Sequence, residues 1–273
     1  MSDTPLLVDV DWLSKPRPEV RIADLRWAAA SPPARQRYGE GHIPGAVYVD
    51  LDRDLSRPGG PGRHPFPSEA AFAQVLARLG IGPTTQVVVY DDATGSIAAR
   101  LWFMLRVHGH EKVSLLDGGL KAWAEAGRPL SREEPRIDPA PPRKLKLDRS
   151  RVLDREQVER RGDASLLDAR APERYRGEVE PLDKRAGHIP GAVNAPFAAN
   201  LTAGLRFRPA AELYQAYSAY TSPIVSCGSG VTACHDAFAI ELAGLPPARL
   251  YVGSWSDWSS DPARPIAIGP GPG

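Results

Sequence analysis

A seven-residue string occurs twice in this chain. GHIPGAV runs from 41 to 47 and again from 187 to 193, an offset of 146 in a chain of 273 residues, and self-similarity at a fixed spacing constrains a fold more than any local propensity does. The likeness extends outward. VRIADLRWA (20–28) resembles SLLDARAPE (165–173), each an apolar run closing on Asp and then Arg. QVVVYDDATGSIAARLWFML (86–105) corresponds to the stretch that opens PIVSCGSGVTACHDAF (223–238), and SLLDGGLKAW (114–123) to RLYVGSWSDW (249–258). The chain reads as a tandem duplication, so a fold assigned to one half has to serve for the other.

Each copy reads as strand, turn, strand, helix, strand, helix, with short β-branched runs such as Val87 to Val89 and longer helical patterns such as Ala98 to Val107. Strands that alternate with helices predict an α/β fold, each copy a parallel sheet flanked by helices. Between the copies, RPLSREEPRIDPAPPRK (128–144) is rich in Pro and charge and has neither period. The expected division is a first domain over 1–135, a linker over 136–149 and a second domain over 150–273.

The 42% hydrophobic content suffices for ordinary cores. With 34 Lys+Arg against 33 Asp+Glu, scattered rather than clustered, the charge does not suit nucleic acid. Two cysteines, Cys227 and Cys234, are too few for a secreted disulfide scaffold and fit a reducing compartment. The start MSDTPLLVDVDWL carries Asp3, Asp9 and Asp11 and lacks the basic-then-apolar order of a signal peptide, and no apolar run approaches the ~20 residues that span a bilayer. The expectation is a cytoplasmic protein with a small-molecule or protein partner, away from membranes.

Cys227 follows the short run Ile224, Val225 and precedes Gly228, Ser229, Gly230, Val231 and Thr232. In open parallel α/β domains ligands bind beyond the carboxyl ends of strands, where loops lead into helices. Successive N–H groups of such a loop can curl inward into a concavity that favours an anion, and a thiolate held there is a nucleophile. Equally, Cys227 can be a small buried residue with glycines that merely make a tight turn.

The residue pattern resembles the two-domain rhodanese superfamily of sulfurtransferases. Both GHIPG strings, LLDGGLKAW and GSWSDWS carry the resemblance over nearly the whole chain, and CGSGVTA is most similar to the active loop of 3-mercaptopyruvate sulfurtransferases. Thiosulfate-preferring members place basic residues where Gly228 and Ser229 stand. The resemblance implies tandem rhodanese-like domains and a Cys227 persulfide that passes sulfur from 3-mercaptopyruvate to cyanide, a small thiol or a protein thiol, with no cofactor and no metal. The first copy has Asp91 or Asp92 in place of Cys227, depending on the gap, so it implies a first domain without the thiol that serves as structural partner and wall of the site.

It further implies a relay in which Asp52 orients His64, His64 polarises Ser229 and Ser229 passes a proton to or from substrate. Arg174, in the run Arg174, Tyr175, Arg176, matches the first substrate arginine. Where a second arginine is expected this chain has Glu180, Pro181 and Leu182, and Arg185 is the candidate, shifted by a gap. Loop residues Gly228, Gly230, Val231 and Thr232 complete the binding set.

His42 and His188 belong to the repeated string, present in the copy without a thiol, and read as fold residues. Cys234, about two helical turns from Cys227, reads as packing rather than a resolving thiol, and Trp123, Trp255 and Trp258 as core. A phosphatase of related fold needs an arginine at the loop end, where Ala233, Cys234 and His235 stand, and a zinc site needs more local ligands. A noncatalytic interaction protein would have lost Cys227. Thiosulfate is the alternative donor.

Overall fold

The computed structural model describes residues 4–27, 32–92 and 94–273; Asp3 and Ala28, used in the sequence argument, lie outside them. The chain forms two compact units. One comprises residues 1–57, 67–148 and 203–206, and the other 58–66, 149–202 and 207–273. The second unit therefore takes in a nine-residue loop, Pro58–Phe66, that precedes most of the first unit in sequence.

In the first unit the strands are β1 (Leu7–Val8), β2 (Val20–Asp24), β3 (Val47–Tyr48), β4 (Gln86–Tyr90) and β5 (Val113–Leu116). They pair in parallel in the order β1-β5-β4-β2-β3. The second unit repeats this with β6 (Val152–Leu153), β7 (Leu166–Asp168), β8 (Ala192–Asn194), β9 (Ile224–Ser226) and β10 (Arg249–Tyr251), in the order β6-β10-β9-β7-β8. Parallel neighbours need crossover connections, which supply the helices. The α/β expectation holds in both copies: the run Val87 to Val89 lies in β4, and a helix spans Ala98–Val107.

The central strands are covered on both faces, so they read as unbroken apolar runs rather than alternating ones. Val87, Val88 and Val89 are fully buried, as are Ile224 and Val225. The helix that follows each central strand is buried nearly all round, Ala98–Val107 in the first unit and Ala233–Leu242 in the second. Small residues Ala233, Ala237 and Ala239 let the latter lie close to its sheet, and each large side chain it buries, such as Phe238 or Ile240, contributes about 1.5–3 kcal/mol.

The repeated string has the same job twice. His42 and His188 are fully buried, stacked on Tyr38 and Tyr175 at 3.9 and 3.8 Å, and their Nδ1 atoms bond the carbonyls of those tyrosines. Each tyrosine hydroxyl in turn donates to the alanine carbonyl of the string, Ala46 or Ala192. The Asp-Arg pairs that close β2 and β7 are likewise duplicated, Asp24 with Arg26 and Asp168 with Arg170, both 2.6 Å apart and buried. Trp123 and Trp258 lie in the two cores, each indole donating to a proline carbonyl. Residues 136–148 are in neither helix nor strand and are tied to the first unit by Ala140 N–H to the Ala77 carbonyl and Asp148 N–H to that of Val107. No helix among the described residues is long and apolar enough to cross a membrane.

Candidate active site

β9 ends at Ser226, and Cys227 begins the loop that enters the helix Ala233–Leu242. Gly230 adopts φ +73°, and a β-carbon there would land on the Val252 carbonyl oxygen, so the loop can close only with glycine at this position. A second segment holds the loop from beneath. Ser254 Oγ accepts the Cys227 N–H at 3.0 Å and donates to the Tyr251 carbonyl, while the N–H groups of Trp255 and Ser256 bond the carbonyls of Cys227 and Gly228. Ser254 achieves this in a left-handed conformation, φ 52°, which costs a non-glycine residue about 1–2 kcal/mol. Cys227 is 2% exposed.

The first unit settles which residue replaces the cysteine. Leu120 N–H bonds the Asp91 carbonyl and Lys121 N–H that of Asp92, as Trp255 and Ser256 do for Cys227 and Gly228. Asp91 thus stands at the Cys227 position and Asp92 at that of Gly228. The Asp91 carboxylate accepts from the N–H groups of Gly95, Ile97 and Ala98 at 2.8, 2.9 and 3.2 Å. The first copy's loop therefore does form a concavity of N–H donors, and it holds a carboxylate of its own chain.

Around the Cys227 loop the second unit gathers several of the residues singled out by sequence. Ser229 Oγ lies 2.8 Å from His64 Nδ1. Arg174 donates to Glu180 at 2.7 Å and lies 3.7 Å from Asp183. A β-carbon placed on Gly228 would be 3.4 Å from Arg174 Nη1, so that arginine borders the loop. Burial would lower the Arg170 guanidinium, but its contacts with Asp168 and Glu180 outweigh burial and raise it. Cys234 is fully buried, its Sγ 3.4 Å from the Gly230 carbonyl, in keeping with packing.

The bonds of two further expected residues are as follows. Arg185 donates from Nη1 and Nη2 to the carbonyls of Asp261 and Arg264, both at 3.0 Å, so its fork meets backbone acceptors. Asp52 belongs to the first unit, in the helix Leu51–Asp54, where its carboxylate accepts the Trp27 indole N–H at 3.1 Å. Residues that sequence reasoning missed are Arg63, Asp183, Ser254 and Ser256. Arg63 pairs with Asp183, its N–H bonds Ser256 Oγ, and its Nη2 would be 2.9 Å from a β-carbon on Gly228. Its position directly before His64 was the one available signal.

The rhodanese-like domain model matches residues 9–126 and 153–261, once in each unit. The chain belongs to the rhodanese-like family. Among rhodanese-like proteins it is 46% identical over 268 residues to a probable 3-mercaptopyruvate sulfurtransferase of Pseudomonas aeruginosa, covering 92% of this chain and 93% of that one. It is 40% identical over 262 residues to a putative thiosulfate sulfurtransferase of Mycobacterium tuberculosis, covering 92% and 91%. The crystal structure of the Escherichia coli 3-mercaptopyruvate sulfurtransferase SseA superposes with a TM-score of 0.81 at 33% identity, over 93% of this chain and all of that one. The similar proteins thus span both donors, so similarity alone does not select between them.

Proposed function

We propose that this rhodanese-like protein is a sulfurtransferase that takes sulfur from 3-mercaptopyruvate, holds it as a Cys227 persulfide and gives it to cyanide or a thiol. The observation that carries the reading is the placement of Cys227 at the foot of a neutral loop, with Ser229 on His64 and Arg174 beside it. The Cys227 thiolate attacks the donor sulfur; an S–S bond forms, the C–S bond breaks, and its electron pair leaves as the enolate of pyruvate. Protonation of that enolate is the task of Ser229, polarised by His64. Asp52 enters the relay by family resemblance. The acceptor then attacks the outer sulfur, leaving with it and returning the thiolate. Loop N–H groups from Gly228 to Thr232 stabilise both anionic forms of the cysteine.

The first domain, over 1–135, serves as the noncatalytic partner, followed by a linker over 136–149 and the catalytic domain over 150–273. A protein thiol is a further candidate acceptor, and a reducing, cytoplasmic setting suits a free catalytic thiol. Arg185 is carried as the sequence-based candidate for the second substrate arginine; its guanidinium donates to two backbone carbonyls. Thiosulfate is the second reading, favoured by the Mycobacterium tuberculosis relative. The test is kcat/KM for 3-mercaptopyruvate and thiosulfate side by side, with cyanide as acceptor. A large preference for mercaptopyruvate supports the reading, a preference for thiosulfate keeps Cys227 as carrier but reverses the donor, and no transfer from either removes it.

A further inference from the structure

Gly228 marks a position that the first unit fills with a carboxylate. There Asp92, the counterpart of Gly228, pairs with Arg37, the counterpart of Arg174: each arginine directly precedes a tyrosine whose hydroxyl bonds the alanine carbonyl of the repeated string. The first unit therefore carries an internal example of a carboxylate bound at this place. In the second unit glycine leaves the place without a side chain. Two guanidiniums border it, Arg63 Nη2 at 2.9 Å and Arg174 Nη1 at 3.4 Å from where a β-carbon would stand.

The two arginines are not a free pair of positive charges. Asp183, 7% exposed, is paired with Arg63 and lies 3.7 Å from Arg174, and its Oδ2 is buried without a hydrogen-bond partner. Glu180, 4% exposed, bonds Arg174 at 2.7 Å. With Arg170, which lies 3.4 Å from Glu180 and is paired with Asp168, three cations thus face three carboxylates before any donor arrives. A planar carboxylate can take up guanidinium N–H groups in their fork geometry and bring one charge. A dianion brings a second charge into a partly buried place that is already balanced, and an uncompensated charge there is costly.

We infer that Arg63 is the second donor-binding arginine, the role that sequence had given to Arg185, and that Asp183, shared by Arg63 and Arg174, restricts the site to donors with a single carboxylate, the 2-oxo acid thiols. The inference rests on the sulfur-transfer reading and deepens it. Arg63 acts on binding and Asp183 on the choice of donor, neither on the sulfur atom itself.

The experiment uses the full chain as wild type, Arg63→Ala, Arg63→Lys and Asp183→Asn. It measures kcat and KM for 3-mercaptopyruvate and thiosulfate with cyanide, with Tm as a folding control. Arg63→Ala is expected to raise KM for mercaptopyruvate about 10-fold with kcat changed far less, and Arg63→Lys, which keeps the charge and loses the fork, to recover only part of it. Asp183→Asn is expected to shift the ratio of kcat/KM toward thiosulfate by about 5-fold or more, since it leaves one positive charge uncompensated. An unchanged KM in Arg63→Ala overturns the inference even if Asp183→Asn fails to fold, and a folded Asp183→Asn protein with an unchanged donor ratio overturns the role of Asp183. If the wild type forms no Cys227 persulfide with either donor, the functional reading falls and this inference with it; if it does, either negative result above counts against the inference alone.

Discussion

His64 Nδ1 and Ser229 Oγ stand 2.8 Å apart, although 165 residues separate them in the chain, and both belong to the second unit because Pro58–Phe66 is part of it. A hydroxyl held on an imidazole can pass a proton that neither group could place alone. His64→Ala is expected to lower kcat for 3-mercaptopyruvate by about 10²-fold, the usual range for general acid–base assistance. Steady-state kinetics check this, and unchanged turnover would remove the relay.

Cys227 and Cys234 should separate cleanly. Intact-mass measurement after donor treatment is expected to show one added sulfur in the wild type and in Cys234→Ser, and none in Cys227→Ser, which should also lose transfer to cyanide. An added sulfur in Cys227→Ser would place the carrier elsewhere.

Gly230 should tolerate no side chain. Because φ is +73° and a β-carbon would meet the Val252 carbonyl, Gly230→Ala is expected to destabilise by about 1–3 kcal/mol and to disturb the loop. Chemical denaturation and persulfide formation read the two effects. A variant of wild-type stability and activity would show that the loop has another conformation open to it.

His110 offers a pH test in the first unit. Burial, reinforced by the neighbouring Arg143, lowers its imidazole from 6.5 to about 4. Nε2 bonds the Thr85 carbonyl at 2.9 Å, and Nδ1 lies 3.1 Å from Arg143 Nη2, a pairing that only the neutral ring can accept. The unfolded chain binds this proton more readily than the folded one, so stability conferred by neutral His110 is present above about 6.5 and is lost as pH falls through about 4. The Tm of His110→Gln should therefore fall less steeply than that of the wild type between these limits. Arg143→Ala, which raises the folded-state imidazole, should make this loss smaller and end it at a higher pH.

Asp91 should be a stability residue with no part in sulfur transfer. Its carboxylate satisfies three N–H groups in a place 3% exposed, so Asp91→Ala is expected to cost about 1–3 kcal/mol. Persulfide formation at Cys227, measured below the lowered Tm, should be unaffected.

Much of this was legible in the chain because the duplication makes each half a check on the other. GHIPGAV, the Asp-Arg strand ends and the tryptophans each recur in matching bonds, and Cys227 announced its loop through the glycines around it. The choice between Asp91 and Asp92 was not legible, since a gap can be placed either way on paper and only the backbone bonds of Leu120 and Lys121 fix it. Arg185 was chosen by nearness along the chain, where its bonds to the carbonyls of Asp261 and Arg264 leave no mark. Arg63 escaped notice because its partners, Asp183 and Ser256, are 120 and 193 residues away, and Ser254 because an unusual backbone angle leaves no mark in composition.

The Asp91 carboxylate has one more consequence. A tethered ligand has an effective concentration that no free anion in the cell can match, so the first copy's loop is saturated at all times and is insensitive to donor supply. The second copy has a thiol where the first has that carboxylate, and to the backbone bonds that brace both loops it adds Ser254 Oγ on the Cys227 N–H. One duplicated cradle has thus become two devices: one occupied by a side chain of its own chain, and one that, under the proposed sulfur transfer, is emptied and refilled at every turnover.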